Sequence, residues 1–163
     1  MVARSWLVSA AGLAACFTLV VSAQAESAWR VRHGNGQMWA EVASLSHGAT
    51  LSVNCDDANS SIALNLSPPA SWNGNAGYKL KVLVDGTAFA VLADGTDDGV
   101  VLSNLPKEAI GIDRTLRNAM KAGSELVVEG PPAAGVPIKQ RSFPLTGANN
   151  AITRIEASCP GVR

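Results

Sequence analysis

Apolar and polar residues alternate along most of this chain, a pattern that predicts short β-strands with one buried face. Trp29, Val31 and His33 share one side of the first run, and Arg30 and Arg32 share the other. The next three runs cover residues 38–42, 51–55 and 62–66. Because short connections separate these four runs, we expect them to be consecutive antiparallel neighbours.

Further strands are predicted at residues 78–84, 89–91, 100–102 and 125–129, and a last one runs through Phe143 and Leu145. Turn residues separate them. Gly34-Asn35-Gly36 and Asp85-Gly86 are typical of tight hairpins, because these residues tolerate positive φ angles. Residues 94–99 predict another turn, and the proline- and glycine-containing stretches 67–77 and 130–137 predict surface loops.

Two segments show helical spacing instead. Asp113 caps the first helix, which ends near Lys121 with Gly123 just beyond it. Its inward positions are Ile112, Leu116, Ala119 and Met120. The second helix closes the chain, with Thr146 or Asn149 as its cap and Pro160 as its stop. Ala148, Ile152, Ile155 and Cys159 lie on its inward face.

These elements predict a mainly β (α+β) fold, an antiparallel β-sandwich-like domain with two short helices that cover an edge or an end. The chain has 163 residues, of which 47% are hydrophobic. That length is typical of one domain. We expect a single β-rich globular domain over residues 26–163.

Residues 1–25 differ from the rest and are interpreted as a secretory signal peptide. Arg4 is the only charge in this segment, and the apolar run from Trp6 to Val21 precedes Ala23-Gln24-Ala25, a small-residue cleavage pattern. Cleavage after Ala25 would release the protein into the periplasm. Leu13-Ala14-Ala15-Cys16 also resembles a lipobox, so lipidation at Cys16 is the alternative, and an uncleaved anchor is a third.

Charge and cysteine content limit the function classes. The formal net charge is zero, which argues against nucleic acid or an anionic membrane as the main partner. A membrane association is expected only with lipidation at Cys16. Cys55 and Cys159 remain after cleavage as an even pair in an oxidising compartment, which predicts a structural disulfide between the strand and the last helix.

Enzymatic and metal-site interpretations have little support in the sequence. The chain has two histidines, His33 and His47, and neither has a metal-ligand spacing. An EF-hand register from Asp94 would place Leu105 where a bidentate Glu is required. Nucleophile-elbow and zinc-protease motifs are absent. We therefore expect no catalytic residues, no metal and no cofactor, and a small hydrolase using His33 or His47 is kept as an alternative.

Two groups of residues are candidates for binding. The alternation places Trp39 on the side opposite Val42, and Trp72 lies in the loop 67–77, so the pattern buries neither tryptophan. Aromatic residues are over-represented at interaction hot spots. Arg114, Arg117 and Lys121 form a stripe on the first helix opposite its apolar positions. Such a stripe suits an acidic partner, although soluble amphipathic helices also have charged outer faces.

Several motifs resemble a group of small exported proteobacterial proteins, loosely of the invasion-associated locus B type. They are the W-R-V strand at Trp29, the V-D-G-T-x-F hairpin at residues 84–89, the D-x-x-L-x-x-A-x-x-x-G helix at 113–123, and the ending F-x-L-T-G-A-x-x-A-I-x-x-I-x-x-x-C at 143–159. Periplasmic accessory proteins of type VI secretion share a similar ending. The resemblance implies a periplasmic, non-enzymatic, β-rich protein with a structural disulfide.

The function predicted from these observations is an exported periplasmic binding or accessory module without catalytic activity, which engages a protein or an envelope component through one sheet face. An inhibitor or immunity-type protein is the other alternative. It would block an envelope enzyme by inserting the loop 67–77, with Trp72 at its tip.

Overall fold

The computed structural model describes residues 28–45, 48–57, 60–67, 77–96, 99–106, 110–129 and 140–162. Within these residues nine antiparallel strands form one sheet, in the order β1-β2-β3-β4-β7-β6-β5-β8-β9. The strands are β1 (Arg30–Gly34), β2 (Gln37–Ala43), β3 (Thr50–Asp56), β4 (Ser61–Ser67), β5 (Tyr78–Val84), β6 (Thr87–Thr96), β7 (Gly99–Ser103), β8 (Glu125–Glu129) and β9 (Arg141–Pro144). The helices are α1 (Arg114–Ala122) and α2 (Ala148–Ser158). The predicted class, mainly antiparallel β with two short helices, is confirmed.

The first four strands follow one another as an antiparallel meander, as predicted. Two-residue turns set the register of two hairpins. Asn35 and Gly36 have φ angles of 50° and 76°, and Asp85 and Gly86 have 47° and 83°. Two successive positive φ angles are the type I′ geometry, whose twist matches that of the flanking strands.

The two ends of the sheet approach each other, so that strands face one another across the core within a single curved sheet. The backbone N–H of Leu45 donates to the carbonyl of Ser142 at 3.0 Å. Trp29 bonds to the same end of the sheet, with its indole Nε1 donating to the Pro144 carbonyl at 3.1 Å. The concave side is apolar, and its largest fully buried side chains include Phe143, Leu51, Ile62, Leu64, Leu66, Leu102 and Leu126.

Both helices pack on this apolar side. Asp113 caps α1 as predicted, because its carboxylate accepts from the backbone N–H of Leu116 at 2.8 Å. Leu116 and Met120 are fully buried. In α2, Ile152 and Ile155 are fully buried as well, and the helix contacts β2, β3 and α1. No helix in the part of the chain described here is long and apolar enough to cross a membrane.

The predicted disulfide is present. Cys55 in β3 and Cys159, directly after α2, are bonded with their Cα atoms 5.3 Å apart and 104 positions apart in sequence. Cys159 is buried, in agreement with its predicted inward position. The bond attaches the end of the last helix to the sheet.

Two local predictions need correction. Residues 94–96 and 99 of the predicted turn are strand, because Thr96 pairs with Gly99 and the β6–β7 ladder overrides the low strand propensity of Asp94 and Gly95, while residues 97 and 98 lie outside the described residues. Neither Thr146 nor Asn149 caps α2. Gly147 occupies the cap position with φ 83°, a left-handed conformation that favours glycine, and no side chain bonds there.

Gly123 lies directly after α1, as predicted. Its φ is −82°, so no left-handed conformation requires a glycine. A Cβ atom at this position would lie 2.6 Å from Val84 Cγ1 and 3.0 Å from Leu145 Cδ1. The close approach of two core side chains therefore explains the glycine.

Candidate binding site on the outward sheet face

The strand register assembles a polar surface on the convex side of β1 to β4. Arg32 lies opposite Trp39, and Trp39 lies opposite Asn54. The intervening residues face the core, where Ala40 and Val53 are fully buried. We call this surface the Trp39 face and define it by Arg30, Arg32, Gly34, Trp39, Glu41, Ser52, Asn54 and Asn65.

The indole ring of Trp39 is partly exposed and is fixed at two opposite edges. Its Nε1 donates to Glu41 Oε2 at 2.9 Å. Its six-membered ring lies close to the backbone of Gly34, where an added Cβ atom would be 3.3 Å from Cη2 and 3.4 Å from Cζ3. The ring therefore lies along the sheet surface between Glu41 and Gly34, with one side against the neighbouring strand.

Glu41 connects the ring to the edge strand. Its Oε1 accepts from Arg32 Nε at 2.9 Å, while its Oε2 accepts from Trp39. Burial raises the pKa of Glu41, but the hydrogen bonds from Trp39 and Arg32 and the charges of Arg32 and Arg30 outweigh it and hold the pKa below its ordinary value. Glu41 therefore stays ionised near neutral pH and acts as an acceptor rather than as a proton donor.

Two amides extend the face across β3 and β4. Asn65 Nδ2 donates to Asn54 Oδ1 at 2.6 Å, and Asn54 Nδ2 donates to the Cys55 carbonyl at 3.1 Å. This chain of bonds fixes the orientation of both side chains. Amide, guanidinium and carboxylate groups together supply donors and acceptors beside an aromatic ring. Such a surface is suited to binding a ligand that is partly apolar and partly polar.

The three cations of α1 do not form one outer stripe. Arg117 is buried, contrary to the expected position opposite Leu116 and Met120, because α1 packs against α2. Arg117 Nε donates to Glu156 Oε1 at 3.0 Å, and Lys121 Nζ donates to Glu156 Oε2 at 2.9 Å. Arg117 Nη1 also bonds the Ile112 carbonyl. Of the three, only Arg114 is exposed to solvent.

The other candidate residues are placed as follows. His33 lies in the edge strand β1 and is exposed, although its alternation predicts the inward side. His47 and Trp72 lie outside the described residues, as do most of the loop 67–77, the loop 130–137 and the leader. Within the described ranges, no group of three or more His, Cys, Asp or Glu residues is placed to hold a metal ion.

A groove of about 290 Å³ lies further along the convex side, over β5, β6 and β7. Its lining is mostly apolar and includes Ala90, Leu92 and Leu105, with Lys79 as its charged member. None of the described residues that line it is aromatic. The groove therefore offers fewer specific contacts than the Trp39 face.

Sequence reasoning identified Trp39 but not its partners. Arg32 and Glu41 are nine positions apart, and they meet because the two-residue turn pairs Arg30 with Glu41 and Arg32 with Trp39. The tight-turn signal at Asn35-Gly36 fixes this register and was available in the sequence. Asn54 and Asn65 meet in the same way across the β3–β4 connection.

Comparison with protein-family models, curated proteins and solved structures finds no match to this chain.

Proposed function

We propose that this chain is an exported periplasmic binding or accessory module, which acts without catalysis and engages a protein or an envelope component through the Trp39 face. The observation that carries the proposal is the fixed position of Trp39, held by Glu41 at one edge and packed over Gly34 at the other. A ring that is already oriented loses little conformational entropy on binding. Preorganised aromatic residues are typical anchors of binding surfaces.

Export is supported by two observations. The leader-like residues 1–25 precede the fold, and the Cys55–Cys159 bond belongs to an oxidising compartment. The resemblance to small exported proteobacterial proteins points to the same compartment. A membrane association enters only with lipidation at Cys16.

The sheet face is a better candidate surface than α1. Arg117 and Lys121 already bind Glu156, so an acidic partner would have to compete with an internal ion pair. Of the three cations on this helix, Arg114 alone is exposed. On the Trp39 face, by contrast, Arg30 and Arg32 are exposed beside the ring.

Intact mass of the protein recovered from the periplasm tests export. We expect a chain that begins at Glu26, with no free thiol before reduction. A lipid-sized excess on a chain that begins at Cys16 would make the protein a membrane-tethered module. A full-length chain in the cytoplasm with reduced Cys55 and Cys159 would overturn the proposal.

Sedimentation with separated envelope fractions tests binding. Purified cell-wall sacculi, outer-membrane fragments and purified periplasmic proteins immobilised on beads are incubated in turn with the oxidised protein. We expect at least one fraction to retain it, and Trp39→Ala to weaken retention about tenfold. Arg154→Ala, an exposed arginine of α2, is the matched control and should bind normally. Loss of binding in Arg114→Ala instead would move the site to α1.

A further inference from the structure

We infer that the Trp39 face binds a glycan strand of the bacterial cell wall, with a pyranose ring stacked on the indole of Trp39. This inference rests on the proposed function, because an exported binding module in the periplasm meets the cell wall as its most abundant polysaccharide. The inference names the ligand class that the geometry of the face favours.

The ring of Trp39 suits a pyranose in shape and in chemistry. A pyranose has a flat side of C–H groups and a rim of hydroxyl groups. The face of an indole is flat, apolar and negative in its quadrupole, so it attracts C–H groups. Trp39 lies along the sheet rather than standing out from it, because its two edges are held at Glu41 and Gly34. Trp39 is also partly exposed, so part of its ring is accessible to a flat ligand.

Polar groups surround the indole of Trp39. Hydroxyl groups both donate and accept hydrogen bonds, so a saccharide site needs donors and acceptors side by side. Arg32, Glu41 and Asn54 surround Trp39 and supply both kinds, and Ser52 and Asn65 continue the surface. The Arg32–Glu41 pair matches one positive charge with one negative charge next to the ring. The centre of the face is therefore balanced for an uncharged sugar.

The edge of the Trp39 face carries an additional positive charge. Arg30 is exposed in β1 and faces Glu41 across the strand pair. Two guanidinium groups thus stand near one carboxylate. The peptide stems of a cell-wall strand carry carboxylates beside its sugar rings, so Arg30 is placed to meet them while Trp39 meets the sugar. Asp56, the last residue of β3, lies at the opposite end of the face from Arg30.

The test measures binding to chitohexaose, a soluble oligomer of N-acetylglucosamine without peptide stems, and to purified sacculi. Tryptophan fluorescence of the Trp72→Phe protein reports on chitohexaose, since Trp29 is buried in the core. We expect a saturable change in emission, and we expect chitohexaose to displace the protein from sacculi. Trp39→Phe retains a ring but not the N–H that bonds Glu41, and it should weaken binding about threefold.

Two further variants keep the test independent of misfolding. Gly34→Ala removes no side chain of the face but displaces the ring of Trp39 by a few tenths of an ångström, because its Cβ would lie 3.3 Å from Cη2. It should weaken binding to both probes by a similar factor. Arg30→Ala should weaken binding to sacculi several-fold and weaken chitohexaose binding by a clearly smaller factor. Far-UV circular dichroism of each variant confirms that the sheet is intact.

The results that would overturn the glycan inference alone differ from those that would also overturn the proposed function. Retention on sacculi that chitohexaose does not displace, or that Gly34→Ala and Trp39→Phe leave unchanged, would overturn the glycan inference and leave the binding module standing. Absence of binding to both probes, with retention on another envelope fraction, would also overturn the glycan inference and leave the proposed binding module standing. Absence of binding to every fraction would overturn both proposals together.

Discussion

Glu41 and Glu156 each accept hydrogen bonds from two donors, but they do so in different structural settings. Glu41 joins Arg32 and Trp39, which are neighbours on one hairpin, and the surface above them is open. Glu156 joins Arg117 and Lys121, which lie 39 and 35 positions away on another helix. The first cluster positions the ring of Trp39 within the β1–β2 hairpin, whereas the second attaches α1 to α2.

The same chemical arrangement thus orients a partly exposed ring in one place and joins two helices in another. Around Glu156 the side chain of Arg117 is only 11% exposed, so losing its partner would leave a poorly solvated charge. Around Glu41 the side chain of Arg32 is 48% exposed and water can replace the partner. Substitutions at the two sites should therefore separate stability from surface organisation.

The largest effect is expected from removal of the disulfide, which joins the two regions. Cys55 follows Asn54 of the Trp39 face, and Cys159 follows the helix that carries Glu156. The double variant Cys55→Ser/Cys159→Ser should lower the free energy of unfolding by about 4 kcal/mol, because the bond closes a long loop in the unfolded chain. Urea denaturation with and without reductant measures this. A loss below about 1 kcal/mol would show that the contacts of α2 hold it without the bond.

The next effect is expected at Glu156. Glu156→Gln should lower the free energy of unfolding by about 2 kcal/mol, since it removes the charge that balances Arg117 and Lys121. Arg154→Ala on the same helix is the control and should change it by less than about 0.5 kcal/mol. Equal effects of the two substitutions in urea denaturation would contradict the assignment of Glu156 as the link between the helices.

A substitution at Glu41 should change the free energy of unfolding less than the one at Glu156. It should, however, change the orientation of the Trp39 ring. Glu41→Gln should alter the free energy of unfolding by less than about 1 kcal/mol, because the cluster is partly exposed. The ring of Trp39 should nevertheless lose its fixed orientation, since one acceptor oxygen is replaced by a donor. The chemical shift of the Trp39 indole N–H in nuclear magnetic resonance spectra measures this. An unchanged shift would mean that the packing over Gly34 alone holds the ring.

The smallest effect is expected from acid. The pKa of Glu41 is lowered in the folded protein, so its contribution to stability is fully present above the ordinary carboxyl pKa. The contribution is lost as the pH falls through the lowered value in the folded state. The indole N–H of Trp39 should therefore titrate with a midpoint below that of an ordinary glutamate. A midpoint at or above the ordinary value would contradict the hydrogen bonds that Glu41 accepts from Trp39 and Arg32.

Much of the fold follows from local sequence. Asp85-Gly86 dictates its hairpin through backbone geometry, and Asp113 dictates the start of α1 through its carboxylate. The alternation of Leu51 and Val53 with polar neighbours identifies the buried face of β3. These signals act over a few residues, so they can be read without knowing the tertiary structure.

The candidate site could be predicted only in part, because its contacts depend on register and on packing between distant segments. The pattern places Trp39 outside the core, but the bond to Glu41 and the packing over Gly34 require the rotamer and the strand pairing. Helical spacing predicts Arg117 on an outer face. Its partner Glu156 lies 39 positions away in the sequence, so no local pattern reveals the ion pair. Helical periodicity cannot show which side of a charged stripe a second helix will cover.

The Cys55–Cys159 bond also has a topological consequence. It converts everything between the two cysteines into a covalent ring, which contains both helices, six of the described strands and the whole of the stretches 68–76 and 130–139. A protease that cuts the ring once leaves a single molecule, since both fragments stay joined through sulfur. Only a second cut, or a reductant, would release a piece.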